Sequence, residues 1–309
     1  MRLKSVVNLP DEQSVGFSSI IVRKSSINVF KGSALPEKNI ITSIGGSLER
    51  AVKGEYAIDV KAVLSEAWQH TLKSRMSINL AILFVLIFGM IVSYIVSSFF
   101  GGIEQVIADP QTMQLLNVIV TMAVWPFIAG IEMMGVYNAV NKPTQIKMVL
   151  SFLHRGSWVA LCALLSSILI SIGFQLLLIP GVLLGVLLSL TIPLVVEKKL
   201  TPMQAIILSV KALRFKIMPL LGIYLVLFMS LIALLVPIVL LMESSLAPVA
   251  IMVFLFGFSY LAPWYYNVKG ILYREIFGVY TDGSGSENDV GKHSTKDTDH
   301  NGSDDTFSA

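Results

Sequence analysis

Between Phe174 and Phe215 the chain reads FQLLLIPGVLLGVLLSLTIPLVVEKKLTPMQAIILSVKALRF. This stretch holds the end of one apolar run, a Pro180-Gly181 pair, a second apolar run with Pro193 inside it, and a basic amphipathic segment opened by Thr201-Pro202. A helix that is apolar all round must sit in lipid or at the centre of a very large core. The second alternative fails on composition. Of 309 residues, 54% are hydrophobic and only 14% charged, and the mean hydropathy is +0.74. That exceeds what a soluble domain of this length needs to fill its interior. The chain reads as an all-α integral membrane protein.

Taken in order, residues 1 to 55 mix charge, Ser, Gly and short apolar pieces without a helical period, and read as a cytoplasmic, largely disordered arm. They contain no apolar leader segment, so no cleavable signal peptide is expected and the first span should direct insertion. From Ile58, Val60, Val63, Leu64, Ala67, Trp68, Thr71 and Leu72 recur at helical spacing opposite Asp59, Lys61, Glu66, Gln69 and Lys73. This is an amphipathic helix expected on the membrane surface.

Span 1 is expected at Ile78 to Phe100 and span 2 at Leu115 to Tyr137, the latter carrying Pro126 and Glu132. At ~1.5 Å per residue, each matches a hydrocarbon layer ~30 Å thick. A second amphipathic piece covers Thr144 to Arg155. Span 3 runs from Ser157 to Ile179 and is predicted to turn at Pro180-Gly181 into a short span 4 ending near Val196. The third amphipathic segment is Thr201 to Lys216, with Thr201 as N-cap and Pro202 at the first helical position. Span 5 is placed at Leu220 to Met242 and span 6 at Ala247 to Val268, with Trp264, Tyr265 and Tyr266 as an aromatic belt. A short basic helix, Lys269 to Phe277, precedes an acidic, low-complexity and disordered cytoplasmic tail at residues 281 to 309. The predicted architecture is six transmembrane helices in three hairpins, each preceded by an amphipathic interfacial helix, within a membrane domain at residues 56 to 280.

All 23 Lys and Arg fall in the N-terminal part before span 1, in the connections after spans 2 and 4, or in the C-terminal segment. Such one-sided charge orients a membrane protein, so both termini are expected in the cytoplasm. The same residues would attract anionic head groups, and they imply no nucleic-acid partner. Val63-Leu64-Ser65, Val149-Leu150-Ser151 and Ile207-Leu208-Ser209 recur at one place in the three amphipathic segments, and Pro126, Pro193 and Pro263 recur in the second span of each hairpin. These describe a threefold unit of interfacial helix, span and kinked span; Pro237 in span 5 falls outside the pattern.

Pro180-Gly181, Pro193, Val195-Val196-Glu197, Pro202, Ala205 and Ser209, with the segment from Tyr56 through Trp68 into span 1, carry a resemblance. They resemble a broad group of bacterial six-span inner-membrane proteins, itself similar to the membrane domain preceding the catalytic domain of some bacterial glycerophosphodiester phosphodiesterases. The likeness covers residues 56 to 278. It implies a bacterial plasma-membrane location and carries over no catalytic residues, because the chain has no soluble α/β region.

The chain offers little chemistry. His70, His154, His293 and His300 are scattered without metal-ligand spacing. No phosphate loop, G-x-S-x-G or H-E-x-x-H pattern occurs, and Gly45-Gly46 reads as an ordinary flexible spot. Cys162, the single cysteine, reads as a small helix-packing residue. Asn117 and Gln175 are expected to hydrogen-bond between helices.

Glu132 is the one feature able to carry mechanism, since an ionisable group inside a span is costly. It is read first as structural, near the cytoplasmic end with Glu197 and Lys269 at comparable places, pairing with a basic residue of an amphipathic helix or reaching head-group water. Loss of so hydrated a pair would cost on the order of 1 kcal/mol or less. The alternative is a proton or cation relay. The candidate residues are therefore Glu132, Pro126, Pro180, Gly181, Pro193, Glu197, Pro202 and Pro263, with no cofactor. The functional expectation is a non-enzymatic membrane module that organises lipid or protein. A small-solute or ion transporter using Glu132 and the kinked spans is the alternative, and an intramembrane enzyme lacks a nameable nucleophile.

Overall fold

The computed structural model describes residues 41–282. The arm up to residue 40 and the tail beyond 282 lie outside the described residues. The fold opens with strand β1 (Ile41–Ile44) and helix α1 (Leu48–Lys53), which Ser47 caps and Gly54 ends with a left-handed φ of 75°. The forty-residue α2 (Val60–Phe99) starts where the Asp59 carboxylate accepts the N–H groups of Lys61 and Ala62. A short α3 (Ile103–Ala108) leads to α4 (Pro110–Ala139), capped in the same way by Asp109. Then come α5 (Met148–Ser151), a 3-10 turn, and α6 (Gly156–Leu176). They are followed by α7 (Leu178–Leu187) and α8 (Thr191–Glu197). A capping box between Thr201 and Gln204, with Pro202 in the first turn, begins α9 (Pro202–Leu213), as the sequence predicts. The chain ends in α10 (Ile217–Leu241), α11 (Ala247–Phe277) and strand β2 (Val279–Asp282).

Among the described residues six helical stretches are long and apolar enough to cross a membrane: Val60–Phe99, Pro110–Ala139, Met148–Leu176, Leu178–Glu197, Pro202–Leu241 and Ala247–Phe277. The centre of the bundle is α11, which packs against α2, α4 and α10, while α6 packs against α4, α7, α8 and α9. The packed interior is not spread evenly along the spans. In α4 it is nearly continuous from Pro126 to Ala139, in α11 from Asn267 to Phe277, and in α8 from Thr191 to Val196. These are the ends that bear the Lys and Arg residues. The opposite halves expose apolar side chains, with Phe99 82%, Val239 77% and Phe256 68% accessible, as helices facing hydrocarbon would.

Several boundaries differ from the sequence-based expectation. Residues 41–55 are structured: β1 pairs antiparallel with β2, Ile44 opposite Val279, and α1 buries Ala51. A four-residue strand paired across most of the chain and a helix of six residues are too short to show a period. Gly45-Gly46 is no flexible spot. The Gly46 N–H donates to Arg274 O at 2.9 Å, and a Cβ on Gly46 would fall 2.4 Å from the carbonyl oxygens of Glu275 and Ile276.

The first amphipathic segment is not a separate surface helix but the first half of α2, which extends ~60 Å, about twice the hydrocarbon thickness. Likewise Lys269–Phe277 is the end of α11 rather than a separate basic helix. The break between spans 3 and 4 lies at Leu177, extended at φ −163° and ψ 156°. Pro180 and Gly181 therefore stand in the first turn of α7, where the missing proline N–H has little consequence, and Gly181 rests against the Phe174 ring.

Pro193 does not kink a continuous helix; it sits in the first turn of α8 after a break at residues 188–190. At the break Val186 O and Leu188 O accept both backbone N–H and hydroxyl of Ser189 and Thr191, and the Leu187 carbonyl accepts from Ser209 of α9 at 2.6 Å. Ser209 is buried for this contact, whereas Ser65 and Ser151, its counterparts in the repeat, are exposed. Pro126 and Pro263 lie inside α4 and α11.

Candidate functional site

Polar side chains gather at the basic end of the bundle, positioned chiefly by α11. Residues seven apart share a helix face, and residues four apart share another. Asn267 and Arg274 accordingly both contact α2 and α4 partners, whereas Lys269 and Tyr273 reach Glu132 and Glu197.

Glu132, 3% exposed, lies in α4, and Lys269, 4% exposed, lies in α11. Lys269 Nζ donates to Glu132 Oε1 at 2.5 Å. The two helices come this close because Gly135 and Gly270 meet at their crossing, where a Cβ on either would fall 2.0–2.1 Å from a backbone oxygen of the other helix. Glu132 Oε2 is buried with no hydrogen-bond partner among the described residues. Glu132 therefore does not reach head-group water, and its partner belongs to span 6 rather than to an amphipathic segment. The pair is a buried one, for which removal of one member costs several kcal/mol rather than less than one.

Beside it runs an interhelical chain of amides and hydroxyls. Asn138 donates through Nδ2 to Ser74 Oγ and to Asn267 Oδ1, both at 2.9 Å, and accepts from Thr144 Oγ1 at 3.1 Å. Asn267 Nδ2 in turn donates to Thr71 Oγ1 at 3.0 Å. These bonds tie α2, α4 and α11 to the loop before α5. Asn117 and Gln175, expected to serve this purpose, are exposed instead.

A third cluster closes the end. Arg274 holds the Glu66 carboxylate through both terminal nitrogens, at 2.6 and 3.0 Å, and also donates to Ala139 O at 2.6 Å. It thereby pins α11 to α2 and to the end of α4 with fork geometry that lysine cannot reproduce. Glu197 accepts from Tyr273 Oη at 2.7 Å and from the Tyr280 N–H at 3.0 Å, while Lys198 donates to Gly278 O at 2.9 Å. Burial pushes the Lys198 ammonium pKa down, and Glu197 opposes that shift. The aromatic belt is also partly turned inward: Trp264 Nε1 donates to Leu64 O at 3.1 Å and its ring meets Trp68 edge-on.

Sequence reasoning singled out Glu132 and Glu197 and set Lys269 at a comparable place without pairing it with Glu132, and it missed Arg274, Asn138 and Asn267. One signal for the pairing was present: Glu132 and Lys269 each lie six residues beyond a proline of their own span, Pro126 and Pro263. Among the described residues no group of His, Cys, Asp and Glu is arranged to hold a metal ion. Fold and site together define a six-span α-helical membrane protein whose packing and polar contacts are concentrated at one end. No family model, curated protein or solved structure matches the chain.

Proposed function

We propose that this is a non-enzymatic, multi-pass protein of a bacterial plasma membrane that presents a rigid cytoplasmic face for organising lipid or partner proteins. The observation that carries the reading is the coincidence of the basic residues with the packed, cross-linked end of the bundle. Positive charge marks the cytoplasmic side and draws anionic head groups, so the end tied together by Glu132–Lys269, Asn138–Asn267 and Glu66–Arg274 faces the cytoplasm with both termini. In this reading the spans pair as three hairpins, α9 lies at head-group depth with Met203 and Ile207 exposed beside Lys211, and the likeness to six-span inner-membrane proteins is a true one. Extraction of the protein in native membrane patches, with identification of co-isolating lipids and proteins, tests it. Reproducible enrichment of anionic lipid or of a partner is expected, and a composition equal to that of bulk membrane counts against it.

A second reading, transport of protons or small cations, is favoured by the unpartnered Oε2 of Glu132 inside a span. Proton flux in vesicles containing the wild-type protein, abolished by Glu132→Gln without loss of stability, would make it the leading one.

A further inference from the structure

On one flank of the bundle, α2, α10 and α11 border an open, shallow groove of about 450 Å³ lined by Trp68, Ser230, Leu234, Phe256, Tyr260 and Trp264. Leu234 and Phe256 stand at the end deeper in the apolar half, and Trp68 and Trp264 stand at the end nearer the basic residues. Trp68 stacks on Tyr260 with centroids 6.0 Å apart and meets Trp264 at 84°. Arg75 stands beside the lining rather than in it, its guanidinium carbon 4.4 Å from the Tyr260 centroid. Among the described residues no carboxylate pairs with Arg75, whereas Arg274, at the end of α11, holds two.

We propose that this groove binds one anionic phospholipid, with its phosphate on Arg75 and an acyl chain along Leu234 and Phe256. The site deepens the lipid-organising reading above and rests on it. Three features converge on that ligand. Indole rings favour the head-group boundary, a planar guanidinium held on a ring face keeps its remaining edge for a phosphate, and apolar walls suit a hydrocarbon chain. Depth agrees as well. Arg75 precedes the predominantly apolar run from Ile78 to Phe100, which puts its charge near the level of lipid phosphates in the leaflet where anionic lipids concentrate. A soluble anion would satisfy Arg75 but leave the groove unfilled.

The test uses the full-length protein in detergent micelles, offered phosphatidylglycerol or phosphatidylcholine with identical chains and observed by native mass spectrometry. Wild type is expected to retain one phosphatidylglycerol in preference to phosphatidylcholine by on the order of tenfold, the effect of one charge-assisted contact. Arg75→Gln should abolish the preference while Arg75→Lys keeps part of it, and glycerol phosphate without chains should fail to displace the lipid. Absence of preference in the wild type overturns the proposal, whether or not the variants fold. So does an equal preference in Arg75→Gln, or an equal loss in Lys73→Gln, which would mark diffuse attraction to the basic end. These outcomes leave the broader reading standing if other lipids or proteins still co-isolate.

Discussion

Glu132 and Lys269 occupy matching positions, each six residues beyond a proline of its own helix, and they meet at 2.5 Å across the Gly135–Gly270 crossing. An acid and a base at matching places in the two helices thus join them. Because the pair is buried, the energetics follow from desolvation. Glu132→Gln or Lys269→Met alone leaves one charge uncompensated and should lower stability by about 3–5 kcal/mol. Glu132→Met combined with Lys269→Met should recover most of that loss, since a buried pair is often replaceable by apolar side chains. Equilibrium unfolding in mixed detergent, arranged as a double-mutant cycle, measures the coupling. Independent, additive losses would show that the pair does not hold the crossing.

The crossing itself makes a second prediction. Gly270→Ala places a methyl 2.0 Å from Gly135 O, so α4 and α11 must separate at a cost of about 1–3 kcal/mol or more. Gly185 has nothing within 4 Å of an added Cβ, and Gly185→Ala should be neutral or stabilising by up to about 1 kcal/mol through the entropy of the unfolded chain. Melting temperatures of the two variants, compared in one detergent, should move in opposite directions or differ clearly in size.

Topology follows from the placement of Lys and Arg. Reporter fusions after Asp109 and after Glu243 should read out on the periplasmic side, and fusions after Lys199 and in the C-terminal tail on the cytoplasmic side. A cytoplasmic signal at Glu243 is incompatible with six spans in this orientation.

Tyr56 fastens the N-terminal segment to α9 by donating to Ala212 O at 2.8 Å, and burial pushes its phenol up to about 12. A raised folded-state pKa means that this contribution is intact below the unfolded value of about 10 and is lost as pH rises through about 12. Thermal stability measured across that range should fall less steeply in Tyr56→Phe than in the wild type. Parallel curves would show that the phenol is not titrating in the folded protein.

The sequence by itself determined class, the number of span-capable stretches and the sidedness of charge, because these depend on local quantities: the length of apolar runs, the helix-starting pair Thr201-Pro202, and which connections hold Lys or Arg. It also pointed to Glu132, an acid in an apolar run. What lay beyond it were relationships between segments distant in the chain. That Gly46 is wedged against Arg274, that β1 finds β2, that Ser209 binds a carbonyl freed by the break before Pro193, and that Asn138 meets Asn267 leave no period to read. Helix boundaries at Pro180 and Pro193 were misplaced for a related reason. A proline excludes the interior of a helix but is accepted in its first turn, and only the packing of α6, α7 and α9 decided that the chain would open at Leu177 and at residues 188–190 instead. Burial decided the rest: whether Glu132 was a hydrated surface acid or half of an enclosed ion pair depended on how closely α4 and α11 approach, and two glycines at the crossing set that distance.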